Sequence, residues 1–305
     1  MNTAAKKASQ ADPENGSRRQ DEVNRAVYNA RGVYLYYFSK SLMAVEAACF
    51  SKYQSYLSER DVLDIGVGTG RTSRHLAPLA RRYEAIDYSP VMVNHVKKIL
   101  PEINVRQADF RDLGIFTDGS FDFVLATANV IDALPPEDRL RALSEVCRVL
   151  RPGGILAFST HNLRYKHAFS GPRFDWSWNP IRLGFRTVQY VLGRWNHRRV
   201  GPLRRTTPEY ALLNDPGHFY ACLHYYVARS TVSSQLALAG MRLLEVFDGS
   251  GRVLEETEDD SASPWLFYVG QRMVEGTYLP TTRIVNESGT MAAGSPLNSA
   301  AISST

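Results

Sequence analysis

The sequence predicts an α/β protein organised around a buried parallel sheet. Three observations carry this. Val62, Leu63 and Ile65 form a short apolar run that reads as a strand buried on both faces. Glycines at alternate positions, Gly66, Gly68 and Gly70, follow it and lead into a helical stretch, Thr72 to Ala80. Strand-like runs then alternate with helical stretches as far as Phe158.

Glycine in the first loop lets the backbone turn sharply and approach a ligand closely. The loop reads G-x-G-x-G. Arg71 stands where a dinucleotide loop carries its third glycine, and no G-K-[ST] follows, so neither of those phosphate loops is present. Asp64 precedes the first glycine; a carboxylate there repels pyrophosphate and suits an ammonium or ribose hydroxyls. Thr69 or Thr72 is available to cap the helix.

The second strand ends at Ala85-Ile86-Asp87. Asp87 lies nineteen residues past Gly68, near the spacing of roughly 20 at which an acid meets ribose hydroxyls. Ser89 and Pro90 fit the cap and first position of a helix that runs to Leu100, where Pro101 stops it. Ile103 to Gln107 is the third strand and leads into Ala108-Asp109-Phe110. Ser120 to Ala126 is the fourth, followed by Thr127-Ala-Asn129, whose Asn129 faces the ligand or makes an Asx turn. Pro135 and Pro136 with Glu137 and Asp138 open a helix that puts Leu140, Leu143, Val146, Cys147 and Leu150 on one face. Arg151-Pro-Gly-Gly154 is a turn and Ile155 to Phe158 the fifth strand. Ser159-Thr-His-Asn162 stands at its carboxyl end, where open α/β sheets bind ligands. His161 can take a proton there from a hydroxyl or ammonium, or it only shapes the pocket.

The loop Asp64 to Gly70, the acid Asp87, the pair Asp109-Phe110 and the turn Leu150-Arg-Pro-Gly-Gly154, in that order, resemble the class I S-adenosylmethionine-dependent methyltransferases of small-molecule type. The resemblance covers about Asp61 to Phe158 and the final hairpin. It implies a Rossmann-like seven-stranded sheet with the last strand antiparallel and helices on both faces, plus a cap insertion. It implies S-adenosylmethionine as cofactor, held by Asp64, Gly66, Gly68, Thr69, Gly70, Asp87, Tyr88, Met92, Asp109, Phe110 and Asn129. Asp87 would take the ribose, Asp109 the adenine amino group and Phe110 the ring. His161 would be the catalytic base. An N-terminal helical segment would lie over the cofactor, with Tyr28 and Tyr34 reaching the sulfonium or the acceptor.

Outside this core, residues 1–20 are polar and read as a disordered arm, and 21–57 as the helical segment, rich in tyrosine. The methyltransferase domain spans 58–275, with a substrate-cap insertion at 162–225; 276–305 reads as a disordered tail. From Leu163 to Arg205 there are ten Lys/Arg against one acid, with Trp176, Trp178 and Trp195 among them. Such a surface suits an anionic or carbohydrate-like acceptor, or nucleic acid, or is a solvated basic helix. Trp176, His218 and His224 are candidates for acceptor contact. Cys49, Cys147 and Cys222 have no metal or redox spacing, so no metal is expected. The net charge of +5, the absence of an eighteen-residue apolar run and an N-terminus without an apolar core favour a cytoplasmic protein with no membrane span.

The function expected is methyl transfer to an O or N atom of a small molecule, such as a sugar or secondary metabolite. RNA methylation by the basic cap is the alternative, although no Asn-Pro-Pro-Tyr or Asp-Pro-Pro-Tyr follows the fourth strand. A non-catalytic cofactor-binding regulator is another. Oligomeric state is not legible.

Overall fold

Val62, Leu63 and Ile65 are buried in β1 (Asp61–Ile65), at the centre of the sheet. The structure, a computed structural model, describes residues 13–30, 33 and 41–274. Residues 1–12 of the expected arm, Tyr34 and the expected tail 276–305 lie outside the described residues.

The remaining strands are β2 (Arg82–Asp87), β3 (Asn104–Gln107), β4 (Phe121–Ala126), β5 (Leu150–Asn162), β6 (Arg205–Thr206), β7 (Tyr210–Leu213), β8 (His224–Val227), β9 (Met241–Phe247) and β10 (Trp265–Arg272). The order β3-β2-β1-β4-β5 is parallel throughout; β10 joins β5 antiparallel and β9 joins β10 antiparallel. These are the seven expected strands, with β10, the last, antiparallel.

Three more strands correct the expected count of seven. The last register pair of β4 with β5 is Ala126 with Phe158, yet β5 runs on to Asn162. β8 takes up the same edge beyond that point, pairing Tyr226 with His161 and Val227 with Asn162; β7 and β6 follow antiparallel. An unpaired β5 extension would leave backbone groups without partners, and a wholly buried His224–Val227 supplies them. The insertion is therefore partly sheet rather than wholly cap.

Alternate residues of the central strands feed two cores, which is why the sheet is apolar on both faces. Leu63, Ile65, Val124, Leu156 and Phe158 pack with α5 (Pro136–Val149) and α7 (Arg229–Leu238). Val62, Phe123, Leu125, Ile155 and Ala157 pack with α2 (Ala44–Lys52) and α4 (Pro90–Ile99). Leu140 departs from its expected core position and is exposed. Helix α3 is only Ser73–Leu76, not Thr72 to Ala80; Pro78 ends it early.

Helix α1 (Pro13–Tyr28) begins inside the stretch expected to be a disordered arm. Its buried side chains are polar: Gln20 donates to the Leu134 carbonyl (3.1 Å), and Asn24 donates to the Ala133 and Leu223 carbonyls (3.0 and 2.8 Å) and accepts from the Leu223 amide (2.9 Å). Helix α6 (Pro180–Val200) opens on Asn179, whose Oδ1 accepts from Ile181 and Arg182 amides. No described helix is long and apolar enough to cross a membrane.

Candidate active site

The glycine loop is shaped by the strand it follows. The amides of Gly66 and Val67 both donate to the Ile86 carbonyl, and that of Gly68 donates to Asp87 Oδ2 at 2.9 Å. Asp87 Oδ1 accepts the Ser89 amide at 2.8 Å. Burial pushes the Asp87 carboxyl up to about 6, against the pull of the two amides. Gly68 has φ +54°, and a Cβ there would meet nothing nearer than the Gly66 carbonyl at 3.9 Å. Open space over a left-handed glycine, beside a carboxylate, fits a ribose-bearing cofactor approaching the backbone closely. Gly66 is the opposite case: a Cβ would lie 2.5 Å from Val130 Cγ2, so the segment after β4 packs directly on the glycine loop.

The other expected cofactor residues divide. Asp64 is buried behind the loop, not presented to a ligand: it accepts from Thr72 Oγ1 and the Tyr83 hydroxyl, each at 2.6 Å, and from Ser73. Three hydroxyls satisfy it and brace the loop from beneath. Thr69 and Met92 are buried as well. Tyr88, Asp109 and Phe110 line a narrow cleft beside Val130, under α1. Arg25 of α1 donates to Asp109 Oδ2 at 2.6 Å and its guanidinium lies 5.1 Å from the Tyr88 ring centre. Arg111 also donates to Asp109, at 2.9 and 2.7 Å. Burial favours the neutral acid, but hydrogen bonds from Arg111 and Arg25 outweigh it and hold Asp109 well below the usual carboxylate range.

Beyond the carboxyl ends of β4, β5 and β8 opens a cavity of about 1260 Å³, lined in part by Tyr28, Asn129, His161, His218 and His224. Four residues from three separate stretches of sequence thus share a cavity lining with His161. Tyr34 lies outside the described residues. Trp176 is not in the lining; it is 57% exposed on the outer surface.

His161 is held from below. Its Nδ1 and its backbone amide both lie 2.7 Å from Oδ2 of Asp132. Asp132 is fully buried and accepts, at Oδ1, from Arg139 (2.7 Å) and Thr160 (2.5 Å). A carboxylate at Nδ1 keeps the proton there and leaves the Nε2 lone pair facing the cavity. Asn129 Nδ2 donates to that nitrogen at 3.3 Å, while the buried Asn129 Oδ1 has no hydrogen-bond partner among the described residues. This orphan acceptor fits a donor on a bound molecule, an ammonium or a hydroxyl.

A second cluster faces His161. Asp215 Oδ2 lies 3.5 Å from His161 Nε2, 2.8 Å from His224 Nδ1 and 2.9 Å from the Tyr226 hydroxyl. Burial would lower the His224 imidazole, but the Asp215 charge and hydrogen bond prevail and raise it well above its ordinary value. His218 goes the other way, lowered to about 4 by burial and by the neighbouring His224. His161, Asp215 and His224 offer metal-ligand atoms within 4.8 Å of one another. Their two imidazoles are stacked at 14°, however, with centroids 5.1 Å apart. A shared ion must lie in both ring planes, so one ring would have to turn.

Backbone strain gathers here too. Of the six described non-glycine residues with positive φ, five (Ala128, Asn129, His218, Phe219 and Tyr220) line this cavity. Each costs on the order of 1 kcal/mol and is kept where a site demands it. Asp132, Asp215 and Arg25 were not legible as site residues. The only signals were Asp132 in the Asn129-Val-Ile-Asp132 stretch and Asp215 just before Pro216-Gly217-His218.

Sheet order, glycine loop and strand-end acids are similar to those of class I S-adenosylmethionine-dependent methyltransferases, and residues 62–154 match the family model described as "Methyltransferase domain". The chain is 38% identical over 103 residues to a probable S-adenosylmethionine-dependent methyltransferase of Mycolicibacterium smegmatis, covering 34% of this chain and 38% of that one. It is 31% identical over 134 residues to the cypemycin N-terminal methyltransferase of a Streptomyces species, covering 42% and 54%. The chain thus spans between about a third and a half of the length of these relatives. The 1,6-didemethyltoxoflavin-N1-methyltransferase of Burkholderia thailandensis, solved with bound S-adenosylhomocysteine, shares the fold at 14% identity and a TM-score of 0.52, over 85% of this chain and 91% of that one.

Proposed function

We propose that the protein transfers the methyl group of S-adenosylmethionine to an oxygen or nitrogen atom of a small-molecule acceptor. One observation carries the acid–base part: Nε2 of His161 faces the cavity while Nδ1 and the backbone amide are fixed on buried Asp132. The cofactor supplies an activated methyl group, so the chain's task is positioning, exclusion of water and removal of one proton.

Asp87 holds the ribose hydroxyls, Asp109 the adenine amino group and Asn129 Oδ1 a donor near the methyl group. The acceptor atom displaces the sulfur in line; the carbon–sulfur bond breaks as the new bond forms. His161 Nε2 takes the acceptor's proton, which then sits beside Asp215, 3.5 Å away. The cavity walls combine tyrosine, histidine and proline from several elements with Arg173, Arg186, Asp175 and Asp215, a setting that suits a compact polar molecule. The relative that acts on the N-terminus of cypemycin supports a nitrogen acceptor among those to be tried.

The test is an assay of S-adenosylhomocysteine release with pooled hydroxyl- and amine-bearing acceptors, on the native chain and His161→Asn. Turnover on an acceptor, lost in the variant with cofactor affinity kept, is the expected result. Cofactor binding without turnover on any pool would rule out catalysis on this class.

A further inference from the structure

Helix α6 presents an apolar stripe to solvent. Ile181, Phe185, Val188, Leu192 and Trp195 follow one another at spacings of four, three, four and three, which places them on one face of the helix. They are 71, 69, 57, 43 and 59% exposed, and Trp178, just before the helix, is 92% exposed. Exposed apolar side chains this large and this contiguous mark an interaction surface.

The charges around the stripe select the occupant. At 100° per residue, Arg182 and Arg198 fall about 100° to either side of the stripe and Arg194 about 140° from it, on the side of Arg198, all exposed. Arg199 lies over the Trp195 ring, 5.0 Å from its centre. Helix α6 contains no acidic residue. A second copy packed along the stripe would set arginine against arginine with no acid on either helix to relieve it. An anionic surface relieves all of them. A helix of 21 residues is about 32 Å long. With aromatic rings on one face and arginines on its flanks, it suits the plane of a bilayer interface.

We propose that α6 and the Phe174–Trp178 segment before it form a docking surface for an anionic lipid bilayer. The helix lies in the headgroup region. Ile181, Phe185, Val188, Trp178 and Trp195 enter the acyl boundary while Arg182, Arg194 and Arg198 meet lipid phosphates. Arg186, Gln189 and Tyr190 of the same helix line the acceptor cavity. Docking therefore brings that cavity to the membrane surface, where an amphiphilic acceptor resides. The surface stands on its own exposure and charge, and does not depend on which atom is methylated.

The experiment is cosedimentation of the full chain with vesicles of phosphatidylcholine, alone or mixed with phosphatidylglycerol, read together with tryptophan emission. Expected are binding to the phosphatidylglycerol vesicles, a blue shift, and release by salt. Each basic contact is worth about fivefold, so Arg182→Gln with Arg194→Gln and Arg198→Gln lowers partitioning about 100-fold. Ile181→Ser with Phe185→Ser and Val188→Ser lowers it at least as far. All six side chains are partly or fully exposed, and retained circular dichroism and cofactor affinity verify that the variants fold; the single Trp178→Ser, with a loss of about tenfold, serves if they do not. No binding to phosphatidylglycerol vesicles would overturn the proposal. So would equal binding to both vesicle types, a concentration-dependent dimer abolished by the serine variant, or retention of an acidic protein in place of vesicles.

Discussion

One oxygen of Asp132 lies 2.7 Å from Nδ1 of His161 and 2.7 Å from the backbone amide of the same residue. Ring and main chain are thus tied to a single buried carboxylate, and the ring cannot turn without losing its bond at Nδ1. Replacing His161 with asparagine removes the base and keeps a polar group of similar size. Turnover should fall about 10²- to 10⁴-fold, and the cofactor dissociation constant should stay within about twofold. Single-turnover rates beside calorimetric titration separate the two. Unchanged turnover would mean that no general base acts at this position.

Asp132→Asn probes positioning and stability together. Arg139 is 1% exposed at its side chain and loses a charged partner at 2.7 Å. Its remaining contacts, to Thr160, Gln235 and the Tyr225 ring, are neutral. The fold should lose about 3 kcal/mol, measured by urea denaturation. At temperatures where the variant is folded, kcat should fall with KM for the acceptor unchanged, because the ring is misaimed rather than absent. A loss confined to stability would remove Asp132 from the reaction.

The ribose role proposed for Asp87 predicts a pH dependence of cofactor binding. Its folded-state pKa is raised to about 6 by burial, above the unperturbed value of about 3.9. In the proposed role ribose hydroxyls donate to the carboxylate, so binding should be full above that pKa and weaken as pH falls through it. Below about pH 6 the dissociation constant should rise close to tenfold per pH unit. Asp87→Asn should bind weakly at every pH and flatten the profile. A wild-type affinity level from pH 5 to 8 would disprove the ribose assignment.

Arg25 clamps α1 to Asp109, the carboxylate proposed above for the adenine amino group. Arg25→Ala unpins the helix. Stopped-flow measurements should show both entry and release of S-adenosylhomocysteine faster by roughly tenfold, with a smaller change in affinity. Rates equal to wild type would mean that α1 does not gate the site.

Asp61 carries acid stability at the far end of the sheet. Burial favours its neutral form, but Arg81 (2.8 Å) and Arg151 (2.7 Å) prevail and lower it to about 2. A depressed carboxyl stabilises the fold above its unfolded value and loses that contribution as pH falls through the folded one. Asp61→Asn should therefore lower the melting temperature at pH 7 and leave it nearly equal to wild type near pH 2. An equal deficit at both pH values would show that the charge is not responsible.

The parallel half was legible because its first three strands are marked at or just past their carboxyl ends by Gly66, Asp87 and Asp109, residues whose backbone or charge requirements show in the string itself. Helix α1 was not, because it buries Gln20 and Asn24 and holds on through hydrogen bonds to main-chain carbonyls, leaving no apolar period to read. Asp132 and Asp215 acquire meaning only through sheet order, which brings the ends of β4, β5 and β8 together around His161. Asp64 misled for a related reason: its neighbour in the chain is the ligand loop, but its neighbours in space are Thr72, Ser73 and Tyr83.

β5 is edged first by β4 and then, past Phe158, by β8. One strand therefore borders both parts of the sheet, the parallel strands along its first stretch and the inserted strands beside its last residues. His161 sits at that junction, paired with Tyr226 of β8, so a change in the inserted strands reaches it through one ladder step. The glycine loop after β1 is two strands further from the same change.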